Sequence, residues 1–173
     1  MKTLVIGAGN MGLTYAEGMA QSAMLNRRNL MVFDKSADVI ARLRDLDHFD
    51  VYESLEECLP KADMVFVAVK PYHCDELFEE MKPMVNKDQI FVSLMAGITI
   101  EKIQNGLGVK KVVRSMPNLP AQVGKGVTSY TESIIDEIYL EFICLLSSIF
   151  PNFRNIFLFF SFNLFSIASI ISG

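Results

Sequence analysis

The sequence contains few of the residues that hold nucleic acids or structural metals. Its formal net charge is −4, and its runs of consecutive cations are no longer than pairs such as Lys110-Lys111. Binding along a phosphate backbone needs several clustered cations, so we expect no nucleic-acid partner. Two histidines and three cysteines, none of them in a CxxC pair, are too few ligands for structural zinc, so we expect no metal site.

The cysteines and the amino-terminal residues are not those of a secreted protein. Cys58, Cys74 and Cys144 are far apart in the sequence, as is typical of a reducing compartment in which thiols stay free. The first apolar run, residues 4–6, is too short for the core of a signal peptide. We therefore expect a cytoplasmic protein. Its composition, 51% hydrophobic and 21% charged, is that of a chain that folds around a core.

Short apolar runs alternate with amphipathic segments as far as Val113. Because buried parallel strands read as continuous apolar runs, we predict strands at residues 4–6, 30–33, 64–69, 90–94 and 112–113. Helices are predicted from about Asn10, after the capping residues Ser36 and Ser54, and over residues 75–84 and 98–107. The inner face of the first helix is predicted to comprise Leu13, Ala16, Ala20 and Met24. The alternation indicates βαβ units and an α/β fold with a doubly wound, mostly parallel sheet.

The most informative motif is the segment Gly-Ala-Gly-Asn-Met-Gly at residues 7–12, which matches G-x-G-x-x-G. It lies between the first predicted strand and the first predicted helix, as in Rossmann-type domains. Gly7 permits a tight turn, Gly9 lets the backbone approach a pyrophosphate, and Gly12 allows close packing of helix and strand. The N–H groups and the dipole at the helix start then favour an anion. A chance glycine cluster is the alternative, but the flanking elements favour dinucleotide binding.

The end of the second predicted strand carries an acidic residue, Asp34. A carboxylate there can accept hydrogen bonds from the ribose hydroxyls of an adenosine, which indicates NAD. Lys35 and Ser36 follow, and they can instead hold a 2′-phosphate, which indicates NADP. A solvated turn before a helix is the third interpretation. The sequence favours a ribose contact by Asp34 and leaves NAD and NADP both open.

Four further segments resemble a known family. They are residues 68–71 (AVKP), 93–97 (SLMAG), 114–118 (RSMPN) and 120–128 (PAQVGKGVT). Together with the Gly-Asn-Met-Gly part of the glycine motif, they closely resemble pyrroline-5-carboxylate reductase, from Met1 to about Thr128. The resemblance implies that NADPH or NADH delivers a hydride to the C=N carbon of 1-pyrroline-5-carboxylate, which gives L-proline in the last step of proline biosynthesis. It also implies a homo-oligomer for the full-length protein.

The resemblance also implies which residues lie at the coenzyme. Residues 68–71 are expected at the carboxyl end of a strand near the coenzyme, although Lys70 can instead be an ordinary strand-end lysine. Residues 96–97 are expected beside the nicotinamide, or form a plain turn. Ser54 is expected either at a ribose or as a helix N-cap. The complete set of expected coenzyme contacts is Gly7, Ala8, Gly9, Asn10, Met11, Gly12, Asp34, Lys35, Ser54, Ala68, Val69, Lys70, Pro71, Ala96, Gly97, Met116, Pro117 and Asn118.

No side chain is assigned as a catalytic acid or nucleophile. His73 and Cys74 follow Pro71 directly, but hydride transfer needs no Cys/His nucleophile, and we interpret both as ordinary loop residues. The coenzyme carries the chemistry, while the protein positions the nicotinamide against the imine carbon and excludes water.

The last part of the chain differs in composition. We expect a dinucleotide-binding domain at residues 1–131 and, at 132–173, an apolar tail that is an incomplete or degenerate start of the family's helical second domain. Residues 155–173 contain no charge. The tail is interpreted first as a truncated or damaged end, next as an unusual strand and helix, and last as a membrane anchor, since a span needs about 20 apolar residues. An unpartnered apolar run predicts association between chains.

Two other functions compete with proline synthesis. One is a related imine or hydroxyacid reductase on the same fold, against which residues 114–126 argue. The other is a catalytically silent NAD(P)-binding module, which the missing second domain favours.

Overall fold

Residues 1–21, 25–117 and 128–132 of the protein are described by a computed structural model. Strands and helices alternate along the chain, as the sequence predicts. The strands are β1 (Thr3–Ile6), β2 (Leu30–Phe33), β3 (Asp50–Tyr52), β4 (Met64–Val67), β5 (Ile90–Ser93), β6 (Val112–Pro117) and β7 (Thr128–Glu132). The helices are α1 (Asn10–Gln21), α2 (Ala37–Leu46), α3 (Leu55–Cys58), α4 (Cys74–Met81) and α5 (Ile100–Leu107), with short 3-10 turns at Arg27–Asn29, Leu59–Lys61 and Pro71–His73.

All seven strands form one sheet in the order β3-β2-β1-β4-β5-β6-β7. The first six are parallel, and β7 pairs with β6 in the antiparallel direction. The strand order reverses between β1 and β4, which is the topological switch point of a doubly wound sheet. The predicted α/β fold of Rossmann type is therefore confirmed.

The helices cover both faces of the sheet. On one face, Tyr15 and Met19 of α1 and Leu43 of α2 pack with Val5 and Phe66 of the sheet. On the other, side chains of α3, α4 and α5 pack with the opposite set of strand residues, among them Leu4, Ile6 and Val65. β1, β2, β4 and β5 are buried along their whole length, which explains why each reads as an unbroken apolar run.

Several predicted bounds are wrong. The strand predicted over 64–69 ends at Val67, and the helix predicted over 75–84 spans Cys74–Met81. This helix ends at its cap residue Lys82, directly before Pro83, because a proline has no N–H to donate to the next intrahelical bond. The strand predicted at 112–113 continues to Pro117, since β7 pairs along it. β3 and β7 were not predicted.

The inner face of α1 is also corrected. The buried positions are Gly12, Tyr15, Ala16, Gly18 and Met19, and of the predicted face only Ala16 is fully buried. Leu13 and Ala20 are half-buried, and Met24 lies outside the described residues. Gly12 lies directly against Gly7, just after β1, and against Ala68, just after β4, and this close approach turns the buried face of the helix towards the sheet.

Among the helices in the described part of the chain, none combines the length and the apolar character that a membrane crossing requires. The predicted start of a helical second domain, residues 132–173, lies outside the described residues apart from Glu132, the last residue of β7.

Candidate functional site

The glycine-rich turn begins directly after β1. The Gly7 N–H donates a hydrogen bond to the Phe33 carbonyl oxygen at 2.8 Å, which joins the end of β1 to the end of β2. Gly7 has φ +90°, and a Cβ there would lie 3.0 Å from both the Ala68 carbonyl oxygen and the Val69 Cγ1. Since an L side chain rarely adopts this conformation, the turn requires glycine at this position.

The third glycine of the motif fixes α1 against the turn. A Cβ on Gly12 would overlap the Gly7 carbonyl oxygen and lie 2.9 Å from the Ala68 Cβ. Without a side chain, the first turn of α1 packs directly on the backbone that leaves β1 and on the segment that follows β4. The role predicted for this glycine, close packing of helix and strand, is therefore found in the structure.

The middle glycine has the opposite surroundings. Gly9 is exposed, and a Cβ built on it would meet no atom within 4 Å. The helical hydrogen bonds of α1 begin with the bond from the Leu13 N–H to the Gly9 carbonyl oxygen, at 2.9 Å. The N–H groups of residues 10–12 precede this pattern, as at any helix start, and they sit at the positive end of the helix dipole. The space beside Gly9 is thus open and electropositive.

Asp34 follows β2 and reaches the turn. Its Oδ2 accepts a hydrogen bond from the Ala8 N–H at 2.7 Å, and its Oδ1 accepts one from the Ser36 N–H at 2.9 Å. The carboxylate is partly buried, so it fixes the glycine-rich turn relative to β2. Sequence reasoning placed Asp34 at this edge but missed these two bonds. Each carboxylate oxygen has further acceptor capacity for a ligand hydroxyl.

Lys35 points to a different element from its neighbours. Its Nζ lies 2.9 Å from the Glu80 Oε2 and 3.2 Å from the Glu76 Oε1, and both glutamates belong to α4. The hydrogen bond that the Lys35 ammonium donates to Glu80, which is the largest effect, and the one that it donates to Glu76 raise the pKa of Lys35 above its ordinary value. Ser36 caps α2 through a hydrogen bond that its Oγ accepts from the Val39 N–H, at 3.5 Å.

Ser54 is a helix cap in the structure. Its Oγ accepts a hydrogen bond from the Glu56 N–H at 3.2 Å, at the start of the short helix α3. Of the two predictions for Ser54, the N-cap is confirmed. The ribose contact stays a prediction.

The segment after β4 lies against the glycine-rich turn. The Ala68 N–H donates to the Ile6 carbonyl oxygen at 2.8 Å, and Ala68 and Val69 are half-buried beside Gly7. Lys70 is exposed, with its Nζ 5.7 Å from the centre of the Tyr72 ring. Pro71 opens the 3-10 turn Pro71–His73. The expectation that residues 68–71 lie at the carboxyl end of a strand is confirmed.

The two residues interpreted as ordinary loop residues are placed differently. His73 lies in the 3-10 turn, and its ring is 4.3 Å from that of Tyr72. Cys74 is not in a loop, because it begins α4 and is buried in the core between helix and sheet. The thiol is thus a packing group, which agrees with its having no assigned catalytic role.

The remaining predicted contacts lie after β5 and at the end of β6. Ala96 and Gly97 are exposed after β5, and Gly97 has φ +74° with open space around its Cβ position. Met116 is half-buried on β6, whose last residue is Pro117. Asn118 lies outside the described residues. The carboxyl ends of parallel strands meet at one edge of a sheet, so the turns after β1, β2, β4 and β5 share an edge.

A small cleft of about 150 Å³ lies away from most of these residues, between α1 and α2. It is smaller than the roughly 300–1,000 Å³ of typical ligand pockets. Its lining is mostly apolar and comprises Ala8, Leu13, Glu17, Val39, Arg42, Leu43 and Leu46. We interpret it as incomplete packing between two helices, and the candidate site as the open edge above the sheet. No group of three or more potential metal ligands occurs within the described ranges.

Comparison with known proteins begins with a family model. The family described as NADP oxidoreductase, coenzyme F420-dependent, matches residues 2–97, which is more than half of the chain and covers the glycine-rich turn and the segments after β2, β4 and β5. The chain belongs to this family.

Members with curated names extend the comparison. The chain is 36% identical over 131 residues to the pyrroline-5-carboxylate reductase of Escherichia coli (strain K12), covering 75% of this chain and 49% of the relative. The resemblance predicted from residues 68–71, 93–97 and 114–128 is thereby confirmed. The chain spans about half the length of the curated relatives that it matches.

Solved structures show the same fold. The chain superposes on a pyrroline-5-carboxylate reductase of Coxiella burnetii with a TM-score of 0.81 at 23% identity, covering 91% of this chain and 58% of the other. For the NADP-bound pyrroline carboxylate reductase of Plasmodium falciparum, the TM-score is 0.75 at 23% identity, with 90% and 57% covered. At this level of identity the structural likeness bears on the fold.

Proposed function

We propose that residues 7–12 bind the diphosphate of NADH or NADPH. The observation that carries this proposal is the contrast between the glycines. Gly7 and Gly12 are packed against neighbouring backbone, whereas the position of a Cβ on Gly9 is open at the start of α1. Folding alone therefore accounts for the glycines at 7 and 12, and close approach of a ligand accounts for the one at 9. The helix dipole favours an anionic ligand there.

The other predicted contacts extend this site. Asp34 is fixed beside the turn by its bonds to the Ala8 and Ser36 N–H groups, where an adenosine ribose would bind. The segment 68–71 forms the next wall, beside Gly7. Ala96 and Gly97 leave room at the edge for the nicotinamide, and Met116, Pro117 and Asn118 are proposed to line it and the substrate.

We propose that the protein reduces 1-pyrroline-5-carboxylate to L-proline, as the curated names of its relatives suggest. When bound, the coenzyme supplies a hydride to the C=N carbon, and the ring nitrogen takes up a proton. The residues of this chain bind and orient the two reactants and exclude water between them. No described side chain is assigned as the proton donor.

The domain division belongs to the same proposal. Residues 1–131 form the dinucleotide-binding domain, and residues 132–173 start a second domain through which the full-length protein associates into a homo-oligomer. The length of the relatives, about twice the matched region, supports this division. A small-molecule substrate and a cytoplasmic location complete the proposal.

The proposal is tested by adding one methyl group at Gly9. We expect the Gly9→Ala variant to bind NADH and NADPH at least about tenfold more weakly than the parent, because its Cβ would occupy the space of the diphosphate. Its urea midpoint should stay close to that of the parent, since the added Cβ meets no protein atom. Binding is measured by titrating the coenzyme's fluorescence.

Gly12→Ala is the matched control. Its Cβ overlaps the Gly7 backbone, so this variant should lose about 2–4 kcal/mol of unfolding free energy. If Gly12→Ala also binds coenzyme more weakly, the weaker binding should be accompanied by this lower stability. If Gly9→Ala binds either coenzyme as tightly as the parent does, the proposed diphosphate site is wrong.

A catalytically silent NAD(P)-binding module is the second candidate function. It requires only the dinucleotide-binding part of the fold, which is the part that the family match over residues 2–97 covers. Turnover of 1-pyrroline-5-carboxylate by the 173-residue chain with either coenzyme decides between them. Coenzyme binding without turnover supports the silent module, and proline formation supports the reductase.

A further inference from the structure

The residue after Asp34 carries the positive charge that a 2′-phosphate would need. In a site built as proposed above, the 2′-position of the adenosine ribose lies beside Asp34 and Lys35. In NADP-binding domains of this fold an arginine near this point accommodates the extra phosphate, and a lysine ammonium carries the same positive charge. The preference for one coenzyme therefore depends on whether the Lys35 ammonium is available.

In the structure, the Lys35 ammonium forms ion pairs with two carboxylates of α4. Its Nζ contacts the Glu80 carboxylate at 2.9 Å and the Glu76 carboxylate at 3.2 Å. The three side chains are 54%, 40% and 74% exposed for Lys35, Glu80 and Glu76, so the contacts form at the surface, beside the edge where the coenzyme would lie. One cation is thus shared between two anions, and the group as a whole is negative.

Asp34 adds a third carboxylate next to this group. It is anchored by the Ala8 and Ser36 N–H groups and cannot swing away without breaking both bonds. One ammonium stands against three carboxylates in this region. A 2′-phosphate would bring further negative charge, whereas a free 2′-hydroxyl can donate a hydrogen bond to Asp34.

We propose that Glu76 and Glu80 of α4 set the coenzyme preference of this chain, by holding Lys35 away from the 2′-position so that NADH binds more tightly than NADPH. This inference rests on the dinucleotide site proposed above. The two glutamates are specificity-determining residues that act through Lys35 and do not themselves touch the coenzyme.

The experiment measures the affinities of NADH and NADPH separately by fluorescence titration of the 173-residue chain. In the parent, we expect NADH to bind at least about fivefold more tightly. In the Glu76→Gln/Glu80→Gln variant, NADPH affinity should rise about five- to tenfold, because the released ammonium can form a charge-assisted bond to the phosphate. NADH affinity should change by less than about twofold, since it has no 2′-phosphate.

Two further variants separate the lysine from overall charge. The Glu79→Gln/Glu101→Gln variant removes the same number of negative charges, from other exposed positions on α4 and α5. It should leave the ratio of the NADH and NADPH affinities unchanged. Adding Lys35→Met to the Glu76→Gln/Glu80→Gln variant should abolish the gain in NADPH affinity. All variants alter exposed side chains, and circular dichroism verifies that each is folded.

The possible results distinguish failure of the specificity inference from failure of the dinucleotide site. A parent that prefers NADPH, a gain that survives Lys35→Met, or an equal gain in the Glu79→Gln/Glu101→Gln control would overturn the specificity inference while leaving the dinucleotide site intact. A folded parent that binds neither coenzyme would overturn both.

Discussion

At the scale of single residues, burial decides the chemistry of Cys58. Its side chain has no exposed surface and belongs to the core between α3 and the sheet. This burial raises the pKa of the thiol to about 11, since the charged thiolate would lose its hydration. The thiolate is the reactive form, so Cys58 is protected from reagents both because it is buried and because its thiol stays protonated.

We therefore expect the Cys58 thiol to be unreactive in the native protein. In a Cys74→Ala/Cys144→Ala variant, labelling with a disulfide reagent at pH 8 should be at least about a hundredfold slower in native buffer than in denaturant. Labelling at the rate of an exposed cysteine would contradict the buried position.

The same shift predicts a pH dependence of stability. Because the pKa is higher in the folded state than in the unfolded state, the contribution of Cys58 is complete below about pH 8.5. It is lost as the pH rises from there towards 11, since the unfolded chain releases the proton first. The urea midpoint should fall more steeply over this range in the parent than in a Cys58→Ala variant, and equal slopes would contradict the assignment.

At the scale of secondary-structure elements, one buried amide joins two segments. Gln89 precedes β5 and is 3% exposed. Its Nε2 donates to the Leu59 carbonyl at 2.7 Å and to the Ala62 carbonyl at 2.8 Å, while its Oε1 accepts from the Asn86 N–H at 2.9 Å. These bonds fix the Leu59–Lys61 turn to the start of β5, in a place where water cannot substitute.

Replacing this amide should destabilise the fold. We expect Gln89→Met, which keeps the side-chain length, to cost about 2–3 kcal/mol of unfolding free energy, because the Leu59 and Ala62 carbonyl oxygens each lose a buried donor and the Asn86 N–H loses its acceptor. Gln104→Met is the control, since the Gln104 amide donates to the Lys110 carbonyl at an exposed site and its loss should cost under about 1 kcal/mol. Urea denaturation of both variants measures the difference, and equal costs would refute the argument.

The elements predicted from sequence are those whose burial is uniform. β1, β2, β4 and β5 are apolar runs because both faces of the sheet are covered, so they can be recognised without a structure. β3 is half-buried along its length and carries Asp50 and Tyr52, so no apolar run marks it. Among the described strands β7 pairs with β6 alone and lies at the end of the strand order, and its polar sequence gave no signal.

In the candidate site, the features that depend on local sequence patterns were predictable, and the contacts between distant elements were not. The glycine motif and Asp34 follow spacing rules that depend on local structure, and the structure brings them together. The partners of Lys35 on α4 are about forty residues away in the chain, and only the tertiary arrangement of an α/β sheet brings them near. Local patterns cannot encode such a pair.

At the scale of the whole molecule, the apolar carboxyl-terminal part of the chain bears on association between copies of the protein. Residues 155–173 contain no charged side chain, and Phe157, Phe159, Phe160 and Phe162 fall close together in the sequence. Apolar side chains in contact with water drive association, because burial removes apolar area from water.

We expect the 173-residue chain to associate in solution through this segment. Substituting Phe157, Phe159 and Phe160 by serine should lower the apparent mass in light scattering, since burial of a phenylalanine side chain contributes roughly 1.5–3 kcal/mol. The matched control is a triple substitution of exposed residues on α2, Asp38, Arg42 and Asp45 to serine, which should leave the mass unchanged. An unchanged mass in the phenylalanine variant would show that this segment does not drive association.

The hydrogen bond from Ala68 to Ile6 also has a consequence for biosynthesis. It joins the glycine-rich turn to a wall of the same crevice that is about sixty residues later in the chain, so forming the crevice requires closing a long loop. A nascent polypeptide whose β4 is still inside the ribosome has the glycine motif but lacks the segment after β4 that packs against it. The dinucleotide site proposed above can therefore form only after translation has passed Pro71 by the length of the exit tunnel.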